Sequence, residues 1–198
     1  MSAGKAPNSS RERLQAAALD VFNEVGVNAA SIHEICARAQ VSIGSAYHHF
    51  GSKQGLADHL LIAGLQQHLD LLEPRLAVAG GARAGVAVLI QSLIDWVEAH
   101  PAWARYIYAV ADQLERAPAV AAQRAEINRR YAASVQHRFG ADLERGALQA
   151  WPPEMMASLI IGPVHDYARR YLAGQTSKPP SALAPQFIDA AWRLLRPA

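Results

Sequence analysis

Apolar residues recur at spacings of three and four along almost the whole 198-residue chain, and no stretch sustains the alternation of apolar and polar residues that a sheet needs. That period predicts an all-α fold of about nine helices. Proline and glycine mark the breaks: Gly26, Gly51, Pro101, Pro118, Pro152-Pro153 and Pro179-Pro180. Glycine favours a helix end and proline a first turn, so each break reads as a joint. The expected helices run over about 10–25, 31–39, 43–49, 52–76, 84–99, 101–114, 118–139, 153–173 and 181–195. Residues 1–9 read as a flexible tail and AVAGGARAG (77–85) as a small-residue linker. Pro163, beside Gly162, falls inside the eighth segment and predicts a kink.

About half of the residues are apolar (51%), enough to bury a sizeable core. No apolar run approaches the roughly 18 residues of a membrane span, and the first residues lack a signal-peptide core. The lone cysteine, Cys36, allows no intrachain disulfide and reads as a small buried filler. These features predict a soluble, non-exported, cytoplasmic protein. Charge is uninformative: the net charge is +2, and residues 1–60 balance Lys5, Arg11, Arg13, Arg38 and Lys53 against Glu12, Asp20, Glu24, Glu34 and Asp58. Four histidines (33, 48, 49 and 59) add positive potential only near pH 6.5 or below.

The informative block is SIHEICARAQVSIGSAYHHFGSKQGL, residues 31–56. Ser31 can cap a short helix, with Glu34 three residues on to complete a capping box. Ser42 can cap a second short helix to His49, and Ser52 a long one. Two short helices joined by a tight turn are the helix-turn-helix layout. Neither is long enough to stand alone, so both need the first helix and the start of the fourth as a platform. Phe22, Ile35, Val41, Ala46, Tyr47 and Phe50 supply apolar contacts for that core. Ser42, Gly44, Ser45 and His48 leave one face short, which suits entry into a major groove about 12 Å wide. Lys53 sits in a helix first turn, where the dipole disfavours a cation unless an anion is near. The bland readings stand beside these: the serines are caps in any case, and Tyr47 could be core with a wet hydroxyl.

This block resembles the DNA-binding domain of the TetR family, matching at Ser31, Ala39, Val41-Ser42, Gly44, Tyr47, His49-Phe50 and Lys53. The resemblance implies a domain over 10–55 that reads double-stranded DNA, and an effector-binding and dimerisation domain over 56–198. Tyr47, His48 and Lys53, with Ser31 at its cap, look like phosphate contacts, and Ser42, Gly44 and Ser45 like groove-facing positions. His49 and Phe50 look structural. One departure is plain: Gln40 stands where the family usually has a glycine of positive φ, at a cost of about 1 kcal/mol.

In that family the later helices surround a ligand cavity and the last two pair with a second copy. Trp96, Trp103, Tyr106, Tyr131 and His165 are pocket candidates here, and they would serve equally well in a solid core. Trp151 and Tyr167 are aromatics of the same kind, and His68, Asp95, Arg105, Gln113 and Asn128 are possible polar anchors. Met155, Leu159, Tyr167, Phe187, Ile188 and Trp192 form wide apolar faces on the last two helices, which a two-fold four-helix interface would bury. Two recognition helices about 34 Å apart would then read a palindromic operator. No Gly-rich phosphate loop, zinc spacing or nucleophile elbow appears, and His48-His49 diverge by about 100° on a helix, so no catalytic residue, metal or cofactor is expected. The expected function is a transcriptional regulator, a repressor released by a partly apolar small molecule. The alternatives are a DNA-binding regulator that uses its larger domain for protein contacts, and an enzyme or scaffold that only resembles one.

Overall fold

The computed structural model describes residues 9–110, 118–149 and 151–197. Among them are nine α-helices and no strand. The helices are α1 (Ser10–Ala29), α2 (Ile32–Ala39), α3 (Ile43–Phe50), α4 (Lys53–Ala77), α5 (Ala82–Ala99), α6 (Pro101–Val110), α7 (Pro118–Glu144), α8 (Pro153–Leu172) and α9 (Ala184–Leu195). A 3-10 turn, Pro180–Leu183, leads into α9. The expected end of α6 at 114, Gln113 and all but the last residue of the expected tail lie outside the described residues.

Most boundaries fall within a few residues of the sequence reading, and the differences have local causes. Gly26 does break α1, at φ 79°, but helical turns resume beyond it as far as Ala29. Val25, expected on the inward face, is 48% exposed just before that break. Helix α7 continues five residues past the expected end, to Glu144. The linker shrinks to four residues between α4 and α5, and α4 also carries Pro74 in its last turn. Helix α8 runs unbroken through Pro163.

Packing divides the described residues into two compact units. Those of 1–64 and 102–120 form one, and those of 65–101 and 121–198 the other. In the first unit α1, α2 and α3 pack on one another. Leu14, Ala18, Val21, Ile35, Leu56 and Leu60 are fully excluded from solvent there. Burial of one such leucine or isoleucine is worth about 1.5–3 kcal/mol. Tyr106 joins this core, stacks on Phe22 at 5.8 Å and donates its hydroxyl to the Ala57 carbonyl at 2.7 Å. Gly64 is needed for contact: a Cβ there would meet Ile107 at 2.7 Å and Trp103 at 2.8 Å. In the second unit α5 packs against α8 and α9 around Val86, Ile90, Ile94, Val164 and Leu195.

Candidate nucleic-acid interface and a cavity

The first unit builds a short exposed helix on a fixed platform. Ser9 and Glu12 cap α1 reciprocally, Ser9 Oγ accepting from the Glu12 amide at 3.1 Å and Glu12 Oε2 accepting from the Ser9 amide at 3.0 Å. That capping box was legible in the sequence and was missed. The one expected at Ser31 is not formed. Ser31 Oγ accepts from the His33 amide at 3.2 Å, while Glu34 turns to Arg38 at 3.0 Å. The guanidinium of Arg38 also grips Glu24, at 2.6 and 3.0 Å. Two carboxylates thus hold Arg38, and its hydrogen bond keeps the Glu24 carboxyl below its usual range.

Between α2 and α3 the chain turns at Gln40, in the left-handed region at φ 53°, ψ 46°. It is the one described non-glycine residue with positive φ. Helix α3 then starts from Ser42, whose Oγ accepts from the Ser45 amide at 3.2 Å. Ser42, Gly44, Tyr47 and His48 are exposed and Ser45 is half-buried, while Ala46 on the opposite face is 2% exposed. Tyr47 is 49% exposed, so its ring is not core. No atom lies within 4 Å of a Cβ built on Gly44. The fold itself has room for a side chain there.

The seam below α3 is polar and aromatic. His49 Nε2 meets Ser10 Oγ at 3.0 Å. Phe50 lies between the Arg11 guanidinium, 5.8 Å from its centroid, and the His59 ring at 5.4 Å. Burial lowers the His59 pKa, and Arg11 lowers it further. Lys53 Nζ donates to the carbonyls of Asn28 and Ala30 at 3.0 and 2.8 Å. Those carbonyls at the end of α1 account for a lysine at a helix N-terminus without an anion. Gly55 permits the tight passage from α3 to α4, since a Cβ there would sit 2.1 Å from the Phe50 carbonyl oxygen.

The second unit contains a cavity of about 670 Å³ walled by α5, α7, α8 and the approach to α8. Leu89, Phe139, Met156 and Ile160 give it an apolar surface, while Asn128, Tyr131, Gln136 and Trp151 bring polar atoms to it. The Trp151 indole nitrogen is buried and has no hydrogen-bond partner. Burial pushes the Tyr131 hydroxyl up to about 12, so it stays protonated. Of the five pocket candidates from the sequence, only Tyr131 is among these lining residues. Tyr106 and Trp103 belong to the other unit's packing. Trp96 is 5% exposed, its ring 5.8 Å from His68 and 6.1 Å from His100. Desolvation lowers His68 and His165 to about 4 each, and His165 adds to the effect on His68. Among the possible anchors, Asn128 lines the cavity and Asp95 instead pairs with Arg75 at 2.5 Å. Leu89, Val135 and Ile160 were missed, because an apolar residue facing a cavity carries the same helical spacing as one in a solid core.

On the last two helices, Met155 is 41% exposed and Leu159, Tyr167, Phe187, Ile188 and Trp192 are half-buried. The Tyr167 and Phe187 rings meet edge to face at 5.7 Å, and Tyr167 donates to the Lys178 carbonyl at 3.0 Å. No helix among the described residues is long and apolar enough to cross a membrane.

Residues 14–60 match the family model described as bacterial regulatory proteins, tetR family. The match coincides with α1 to α3 and the start of α4, the segment that presents α3. The HTH-type transcriptional regulator UidR of Escherichia coli is 38% identical over 52 residues, about a quarter (26%) of this chain and 26% of that protein. Solved structures of bacterial transcription regulators share the fold over most of the chain. A TetR family transcription regulator from Marinobacter aquaeolei superposes with a TM-score of 0.80 at 16% identity, over 96% of each chain. The transcriptional regulator FadR of Bacillus subtilis, solved in complex with stearoyl-CoA, gives 0.76 at 15% identity over 90% of this chain and 96% of that one.

Proposed function

We propose that this protein is a transcriptional regulator of the TetR family that binds a palindromic operator as a homodimer and is released from it by a small molecule. The observation that carries the reading is α3: a capped helix whose outer face is open at Gly44, inside the segment that matches the family. Residues 10–55 are the DNA-reading part in this proposal and 56–198 the effector and dimerisation part. Ser42, Gly44 and Ser45 face the groove. Tyr47, His48, the Ser31 cap and the remaining hydrogen of Lys53 meet phosphates. The apolar faces of α8 and α9, with Met155, Leu159, Tyr167, Phe187, Ile188 and Trp192, pair with a second copy.

The cavity supports the effector-responsive reading over one in which the larger unit only makes protein contacts, because its size falls within the range of small-molecule sites. FadR's complex with stearoyl-CoA is a precedent for ligand binding in a related fold. The effector must bind the DNA-free state more tightly to release the operator. Catalysis has no part in the reading, and the site of action is the bacterial cytoplasm. Fluorescence anisotropy with the DNA upstream of the gene is the test. Binding much tighter than to random DNA is expected, and salt-sensitive binding with no sequence preference would refute the reading.

A further inference from the structure

We propose that the cavity of the second unit takes an uncharged, mainly apolar ligand whose hydrogen-bond acceptor meets the indole N–H of Trp151. This rests on the reading of the protein as a ligand-responsive regulator and names the chemistry of that ligand.

Three observations carry it. First, among the described residues that line the cavity none is charged. A carboxylate or phosphate placed there would lose its water without gaining a cation, a cost of several kcal/mol or more. Second, Trp151 brings an indole N–H to the lining that is buried and unpartnered. An indole nitrogen can only donate, so the partner it lacks is an acceptor: a carbonyl, an ether or a hydroxyl oxygen. A buried donor left unpaired costs about 1–3 kcal/mol, and a ligand acceptor would recover it. Third, the other polar groups at the wall are neutral: the amides of Asn128 and Gln136, and the Tyr131 hydroxyl, which burial holds protonated. They can orient a carbonyl or hydroxyl but neutralise no charge.

The nearest rival is Arg138, whose Nε and Nη2 are buried and unpartnered. Its guanidinium lies over the Phe139 ring at 5.4 Å, bonds Asp142 at 3.2 Å and is not part of the lining. The ligand predicted here therefore differs in charge from the stearoyl-CoA in the FadR complex.

The test titrates the full-length dimer with probes matched in shape and differing in charge. One set is methyl myristate, myristate and myristoyl-CoA, and the other is a neutral ketosteroid and the same skeleton bearing a carboxylate. Thermal shift and tryptophan fluorescence report binding. At least one neutral probe is expected to bind, and its charged counterpart at least tenfold more weakly. In Trp151→Phe, which keeps the ring and removes the donor, the neutral probe should bind about fivefold more weakly. The melting temperature without ligand should not fall. Equal or tighter binding of the charged probes, no binding of either neutral probe, or an unchanged affinity in Trp151→Phe would each overturn the proposal. So would neutral-probe binding confined to the monomer, since a second copy would then fill the cavity. The underlying regulator reading fails separately, when operator anisotropy shows no sequence preference whatever the cavity takes up.

Discussion

At Gly44 the fold and the proposed function make different demands. A methyl group there would touch nothing within 4 Å, and alanine is the better helix former by about 0.8–1.0 kcal/mol. Gly44→Ala is therefore expected to leave the melting temperature unchanged or raise it slightly. It should weaken operator binding at least tenfold in an anisotropy titration, because the added methyl keeps α3 out of the groove. Gln40 poses the opposite case. Its left-handed backbone costs about 1 kcal/mol, which glycine would avoid. Gln40→Gly should raise the melting temperature by about 2–4 °C without changing DNA affinity, as read by calorimetry and anisotropy. Gly55 is bound by contact rather than by φ. Gly55→Ala would drive a methyl onto the Phe50 carbonyl and cost about 1–3 kcal/mol, with operator binding lost at the same time.

Among the helices, the second unit holds a pair of titratable groups away from water. His68 on α4 and His165 on α8 sit at about 4 rather than 6.5, because desolvation disfavours their charged forms. Between those values the unfolded chain binds protons that the folded chain refuses. Stability contributed by the neutral histidines is thus present above pH 6.5 and is lost as the pH falls toward 4. Urea denaturation at pH 7 and pH 5 should show this loss, and a His68→Phe variant should show a smaller one. His59, in the other unit, shifts in the same direction and adds to the slope.

For the whole molecule the prediction is symmetry. If α8 and α9 pair with a second copy, the melting temperature should rise with protein concentration. Ile188→Glu should then give a monomer by sedimentation and abolish tight operator binding, while the helix content by circular dichroism stays the same. Salt dependence should be modest for a DNA reader. Arg38 is gripped by Glu24 and Glu34, and Lys53 spends two hydrogens on carbonyls, so few cations remain to displace counterions. A plot of log K against log salt is expected to be shallower than about −5.

The helical period, the proline and glycine joints and the serine caps at 42 and 52 are local properties, and the sequence alone determined nearly every helix of this protein from them. The left-handed turn at Gln40 was anticipated from the resemblance alone, since the family usually has a glycine of positive φ there. What tertiary structure decided was partnership. Lys53 looked like a group awaiting an anion, and only the return of α4 beside the end of α1 gave it the carbonyls of Asn28 and Ala30. Tyr106 and Trp103 looked like pocket aromatics, and packing assigned them to the core that also holds Phe22 and Gly64. Tyr131 and Trp151 came to share a cavity because α7 and the approach to α8 converge there. Spacing along one helix names the face that turns inward, while the partner met there depends on residues dozens of positions away.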